Sequence, residues 1–206
     1  MFLGRISVRP GATLLNDDYK IHRALRTLYA DGVHPLWRLE NAKGVPTLIV
    51  VSDRPARRTT GLPVEIEERP YDPFLHTLET GQKFKFRIRA NMVRNSPPTL
   101  DGNRLIRGKP RPITDPEEQE QWIVSRLAAA GADARVKRSK SGFTKLPVPT
   151  RDQNHQVANP TNVAPSTTNT FTGKLTITNP ALFAAALTSG IGRQRAFGCG
   201  LLTIAR

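Results

Sequence analysis

A single cysteine, Cys199, stands among 206 residues, and it excludes an internal disulfide framework. Only four histidines are present, at positions 22, 34, 76 and 155, and with one thiol they form no metal-ligand spacing, so a structural zinc site is not expected. No metal and no cofactor enters the reading. No stretch approaches the roughly 18–20 apolar residues that a bilayer span needs, and residues 1–11 lack the apolar run of a secretion signal. The expectation is a chain of a soluble, reducing compartment, the cytoplasm, with no membrane association. There is no Gly-x-Ser-x-Gly elbow for serine catalysis. Paired carboxylates for glycoside chemistry are also unsupported: Glu65, Glu67 and Glu68 read as a solvated acidic stretch, and Glu117, Glu118 and Glu120 as a helix start. Acidic residues are scarce overall, 17 against 31 Lys and Arg, for a net charge of +14. Charge of that size opposes compaction and points to a polyanionic partner. Residues 1–103 hold 16 basic against 11 acidic residues and 104–206 hold 15 against 6, so the excess is not a detachable tail.

What is present is enough for a core, with 38% hydrophobic residues, and for many connections, with 15 Gly and 17 Pro. Alternation of Phe2, Ile6 and Val8 predicts a strand closed by Pro10-Gly11. A helix capped by Asn16, Asp17 or Asp18 runs to about Tyr29. Strands follow at Leu36–Glu40 and Thr47–Ser52, then a weak helix at Tyr71–Glu79 and a strictly alternating strand over Lys83–Val93. This order is βαββαβ, the ferredoxin-like pattern. It is repeated by a weak strand at Leu105–Arg107 and a helix with Asp115 as cap, Pro116 at N1 and Glu118 at N3. Strands at Ala132–Arg138 and around Phe171–Ile177 come next, then a helix from Asn179-Pro180 with Leu182, Phe183, Ala186 and Leu187 inward, and a last strand at Leu201–Ile204. The fold class is therefore α+β, with two tandem ferredoxin-like units. Residues 1–95 form the first, 96–103 a linker and 104–206 the second. Residues 139–170, poor in large apolar side chains, are expected to be a mobile loop.

Four constellations carry possible chemistry. On the first helix Tyr19, His22, Arg23 and Arg26 share one face, while Ile21, Ala24, Leu25 and Leu28 fill the opposite one. The apolar stripe is complete without the histidine. His22 is then either a surface histidine on a solvated basic face or a proton-transfer group facing a phosphodiester. His34, His76 and His155 belong to no such cluster. A segment between a helix and a strand contains Gly190, Gly192, Arg193, Arg195, Gly198 and Gly200. Its glycines allow close backbone approach to phosphate oxygens and its arginines add forked contacts; the alternative is a glycine-rich helix end and a bulged strand. In Lys83–Arg89, Lys83, Lys85, Arg87 and Arg89 occupy one strand face and Phe84, Phe86 and Ile88 the other. That cationic face either binds an anion or is merely solvated. Finally Arg135, Lys137, Arg138 and Lys140 lead into Ser141-Gly142, a basic strand end that could enter a nucleic-acid groove or be an ordinary charged loop.

Taken in order, Phe2-Leu-Gly-Arg-Ile-Ser-Val-Arg, Tyr19-x-x-His22-Arg23-Ala-Leu25, Ser52-Asp53-Arg54-Pro55, the basic-phenylalanine strand ending Arg89-Ala-Asn-Met, and Gly190-Ile-Gly192-Arg193-x-x-Ala-Phe197-Gly198-x-Gly200-Leu-Leu resemble the CasE-type CRISPR-associated endoribonucleases. These are the subunits of Cascade that process crRNA. The resemblance spans nearly the whole chain and implies tandem ferredoxin-like (RAMP) domains. It implies metal-independent cleavage of a CRISPR repeat hairpin at its base, leaving a 2′,3′-cyclic phosphate and a 5′-OH. It also implies that the protein stays on the hairpin afterwards and joins the other Cascade subunits; when free, the chain is expected to be a monomer. The family's catalytic histidine and tyrosine fall on His22 and Tyr19, its glycine-rich loop on Gly190–Gly200 and its stem-contacting hairpin on Arg135–Lys145. In such a reaction His22 is base or acid, Tyr19 positions or donates a proton, and Arg23 and Arg26 stabilise charge. The rival reading is a non-catalytic basic RNA-binding scaffold subunit of the same fold.

Overall fold

In a computed structural model, residues 1–8, 18–42, 45–57, 62–101, 104–106, 108, 110–138, 142–147 and 163–206 are described. The first sheet is built from β1 (Phe2–Val8), β2 (Leu36–Ala42), β3 (Val45–Ser52) and β4 (Val64–Pro70) in the order β2-β3-β1-β4, antiparallel throughout. Helix α1 (Asp18–Leu28) connects β1 to β2 and lies on one face. Its Ile21, Leu25 and Leu28 pack with Ile6, Trp37, Leu48 and Val50. This is the strand order of a ferredoxin-like unit, although the crossover from β3 to β4 carries no helix among its described residues.

After the short helix α2 (Asp72–Leu75), the chain enters the second sheet at β5 (Lys83–Asn91). Two small ribbons follow: β6 (Val93–Asn95) pairs with β9 (Pro110–Pro112), and β7 (Thr99–Asp101) with β8 (Arg104–Ile106). Helix α3 (Pro116–Ala129) comes next, with the Asp115 side chain accepting from the Glu118 N–H at 2.7 Å. Then come β10 (Ala132–Arg138), β11 (Gly142–Pro147), β12 (Val163–Ile177), α4 (Pro180–Ser189), a 3-10 turn at Arg195–Phe197, and β13 (Leu202–Ala205). Asn179 caps α4 by accepting from the Leu182 N–H at 3.1 Å. The sheet order β10-β12-β5-β13, all antiparallel, repeats that of the first sheet. Phe84, Phe86, Ile88, Phe171 and Leu175 face α3 and α4 through Ile123, Leu127, Phe183 and Leu187.

Both units expected from the sequence are thus present, but their strands are distributed differently. Lys83–Val93, expected to close the first unit, instead supplies β5 at the centre of the second sheet, beside β12 and β13. The first sheet is closed by β4, a segment that reads from sequence as a solvated acidic stretch. Glu65 and Glu67 do face water there, while Val64 and Ile66 on the alternate positions pack against the α1 core. Alternation marks a strand but does not name its sheet, because pairing is decided by contacts distant in sequence. Of the expected strand Leu105–Arg107, Leu105 and Ile106 belong to β8, which pairs with β7 in a small ribbon apart from the two main sheets, and Arg107 lies outside the described residues. The break between the sheets therefore falls between Pro70 and Lys83, at α2, and not at 96–103. The expected loop 139–170 contains β11 and the first part of β12, paired as Gly142↔Thr168 through Pro147↔Val163. Leu182 is half exposed, not inward.

The two units share a joint. Leu36 and Val51, on the face of the first sheet turned away from α1, join the same apolar cluster as Ile88, Leu201 and Leu202. Between them Arg38, 2% exposed, donates to the carbonyls of Arg87 at 2.9 Å and Leu201 at 2.8 Å and to Thr203 Oγ1 at 2.6 Å. Its charge is met by Glu40. A buried guanidinium survives only where each donor has a partner, so this one fixes how the second unit sits on the first.

Candidate active site

Burying a side chain such as Ile21, Leu25 or Leu28 contributes about 1.5–3 kcal/mol, and these three are fully buried. That fixes the rotation of α1 about its axis. Tyr19 and His22 are consequently half-buried on the other side, one turn apart, and Arg23 and Arg26 are exposed. The His22 ring lies 5.7 Å from the ring of Phe197, tilted by 46°. Phe197 ends the 3-10 turn of the glycine-rich segment, and that turn is tied to β2 by Trp37, whose indole Nε1 donates to the Ala196 carbonyl at 3.0 Å. A cavity of about 550 Å³ opens here, lined by His22, Arg26, His34, Trp37, Thr188 and Arg195 among others. The imidazole of α1 and the cationic bend before β13 meet in one pocket.

The glycines serve the packing of the bend. Gly190, Gly192, Gly198 and Gly200 all have positive φ, from 73° to 87°. A Cβ on Gly198 would lie 2.8 Å from the Trp37 ring, and one on Gly200 2.8 Å from the Ile191 carbonyl oxygen. The Gly200 N–H donates to the Arg89 carbonyl at 2.7 Å. Gly190, Gly198 and Gly200 are buried and let the bend pack closely on Leu36, Trp37 and β5, the packing expected of the glycine-rich helix end. Only Gly192 is partly exposed, and Arg193 and Arg195 are exposed to solvent.

A family model described as "CRISPR associated protein" matches residues 1–206. The chain belongs to the CRISPR associated protein family. It is 26% identical, over the full length of both chains, to the CRISPR-associated endoribonuclease Cse3 of Thermus thermophilus. Among solved structures it is similar to CRISPR endoribonuclease Cse3 bound to 19 nt RNA, with a TM-score of 0.80 and 23% identity over 100% of both chains. It is also similar to the CRISPR-associated protein Cas6e from Escherichia coli, with a TM-score of 0.68 and 20% identity over 100% of this chain and 99% of that one. A chain of a CRISPR RNA-guided surveillance complex matches with a TM-score of 0.66 and 23% identity, over 100% of this chain and 99% of that one. The tandem ferredoxin-like α+β fold of this family member is the fold of those chains.

Within this fold the electrostatics of His22 are specific. Its pKa is lowered from the usual 6.5, first by burial, then by the Arg26 guanidinium and by His34. A half-buried imidazole among cations disfavours its own charge, so the environment of His22 favours the neutral form, the one able to accept a proton. His34, which belongs to no cluster in the sequence, lines the His22 pocket. No local pattern marks it; the β2 entry segment Val33–Leu36 brings it there. Trp37 likewise carries no signal of its own in the sequence, and it anchors the bend.

The basic strand divides. Lys83, Lys85 and Arg87 are exposed on the uncovered face of the second sheet, and Arg135 and Lys137 on β10 lie on that same face. Arg89 does not belong to the solvent-facing set: it pairs with Asp18 at 3.0 Å, the two side chains being only 15% and 12% exposed. It holds the first turn of α1 on the end of β5, a contact that strand alternation alone cannot foretell. Arg138 contributes backbone pairing to Phe171, and Lys140 lies outside the described residues. Cys199, buried, has its thiol pushed up to about 12 by desolvation and is no nucleophile. Among the described residues no three His, Cys, Asp or Glu side chains gather as metal ligands, and no helix is long and apolar enough to cross a membrane.

Proposed function

We propose that this chain is a metal-independent endoribonuclease that cuts CRISPR repeat hairpins in precursor transcripts to release crRNA. We further propose that it stays on its product as a Cascade subunit in the cytoplasm. The observation that carries the reading is the half-buried His22 against Phe197, in a pocket that also holds Arg26, His34 and Arg195. The relatives that match along the full chain, a CRISPR-associated endoribonuclease and a chain of an RNA-guided surveillance complex, support it.

RNA brings its own nucleophile. His22 takes the proton of the 2′-OH, the 2′ oxygen attacks the adjacent phosphorus, and the P–O5′ bond breaks in line. The lowered pKa of His22 favours the base role over the acid role. The leaving 5′ oxygen gains a proton, for which Tyr19, one turn away on the same helix face, is the donor or the group that positions it. Arg23, Arg26, Arg193 and Arg195 stabilise the charge that builds on the phosphorane. The products are a 2′,3′-cyclic phosphate and a 5′-OH.

Single-turnover cleavage of a repeat hairpin tests this. His22→Ala is expected to lower the rate by at least about 10²-fold, the size of a general acid–base contribution, with RNA affinity unchanged. A 2′-deoxy group at the scissile nucleotide is expected to block the reaction, and excess EDTA to leave it intact. Full activity of His22→Ala, or a strict Mg²⁺ requirement, overturns the mechanism. Binding without any cleavage by the native chain selects the scaffold reading instead.

A further inference from the structure

On the face of the second sheet that α3 and α4 leave open, cations stand in rows. Register places Arg135 opposite Lys174, and Lys174 opposite Lys85. The next row holds Lys137, Thr172, Arg87 and Thr203, and the one on the other side Asp133, Thr176 and Lys83. Opposed residues of neighbouring strands have Cβ atoms roughly 4.5–5.5 Å apart, and like charges there destabilise the sheet. Arg135, Lys174 and Lys85 are three such neighbours in line. Among the described residues none of Lys83, Lys85, Arg135, Lys137 and Lys174 forms an ion pair, and the acids facing this surface are Asp133 and Glu40, the latter 3.7 Å from Arg87. Lys83, Lys85, Asp133, Arg135, Lys174 and Arg206 together line a shallow cavity of about 520 Å³.

We propose that this face is a track for the single-stranded RNA that flanks the hairpin, separate from the contacts that hold the stem. The inference rests on the ribonuclease reading above. Three observations carry it. Among the described residues almost nothing compensates the rows, so an external polyanion relieves their repulsion. The face leads directly from the reacting helix: Arg89, at its near end, pairs with Asp18, the residue before Tyr19, and Lys83 lies six positions further along β5, roughly 20 Å away on an extended strand. A strand that continues past the cut bond starts at that helix, whereas a stem cut at its base ends there. The aromatic residues of β5, Phe84 and Phe86, turn into the core, and the side chains between the cations are Thr172, Thr176 and Thr203. Such a flat surface reads phosphate charge and not bases, so it tolerates any sequence.

The test uses the full native chain and three uncleavable RNAs with a 2′-deoxy scissile nucleotide: the minimal hairpin, the hairpin with a single-stranded 5′ extension, and the hairpin with a 3′ extension. The expected result is tighter binding of at least one extended RNA. The double variant Lys85→Glu/Lys174→Glu loses that gain and binds the minimal hairpin as before. Its log–log salt slope for the extended RNA falls by about 1.4, at about 0.7 per lost phosphate contact on a single strand. Lys85→Ala/Lys174→Ala moves the same way by less. An equal loss on the minimal hairpin overturns the proposal and makes the face a stem platform. Unchanged RNA binding by the double variant overturns it also; if that variant then fails to join a multisubunit complex, the face is a protein contact. If the native chain binds no hairpin at all, the ribonuclease reading fails together with the track.

Discussion

In the first sheet one face is covered and the other is covered in part. Helix α1 covers one with Ile21, Leu25 and Leu28, and the second unit packs on the other at Leu36, Val51 and the buried Arg38, leaving Arg5 exposed. The second sheet has the same strand order but one covered face, under α3 and α4; the other carries Lys83, Lys85, Arg87, Arg135, Lys137 and Lys174. An antiparallel sheet can leave one side to water, and here the repeat of topology splits the work. On the proposed reading the first unit supplies the proton acceptor on a helix locked in rotation, and the second supplies the charge and the bend that meets it. Strand order alone assigns neither role.

That contrast can be broken most severely at the joint. Arg38→Ala is expected to cost about 3–5 kcal/mol, the usual penalty for removing one partner of a buried charged pair. Arg5→Ala, on the same sheet face but in an exposed pair 4.0 Å from Glu67, should change stability by less than about 1 kcal/mol. Denaturant unfolding reads both. Equal small effects would mean that the two units are not coupled through Arg38.

A lesser effect is expected at the bend. Gly198→Ala and Gly81→Ala both place a side chain at positive φ, but around Gly81 there is open space, while at Gly198 the new Cβ meets Trp37. Both incur the left-handed backbone penalty of roughly 1–2 kcal/mol. Gly198→Ala costs about 1–3 kcal/mol more for overpacking and also slows cleavage, because the displaced turn carries Phe197. A Gly198→Ala protein as stable and active as Gly81→Ala would remove the packing role given to that glycine.

The smallest effect is on pH dependence. A base must be deprotonated, so cleavage falls as pH drops through the His22 pKa, which burial, Arg26 and His34 hold below 6.5. The acidic limb of the rate profile therefore lies at lower pH than an unperturbed imidazole would place it. Arg26→Ala removes a cation and moves that limb to higher pH; His34→Ala moves it the same way by less. A limb unmoved by either substitution would mean that the titrating group is not His22.

Much of the candidate site was legible because it is periodic or compositional. Opposite stripes on α1 placed Tyr19 and His22 away from the core, and alternation in β5 placed its lysines on one face. The caps at Asp115 and Asn179 were likewise readable, since a capping side chain acts within three residues. His34, Trp37 and the Asp18–Arg89 pair were not legible, because each gains its role from a partner on a distant element.

Residue order alone settles the alternation of β1 and β5, the winding of α1, α3 and α4, the two faces of α1, the positive balance and the glycines near the end. All of these are properties of neighbouring residues or of their sum. That Val64–Pro70 closes the first sheet and Lys83–Asn91 founds the second follows from long-range packing and from nothing local. The same packing sets His22 against Phe197 and turns three glycines into contact surface. Those outcomes depend on which distant surfaces bury each other most completely, and that competition is resolved by the whole chain at once.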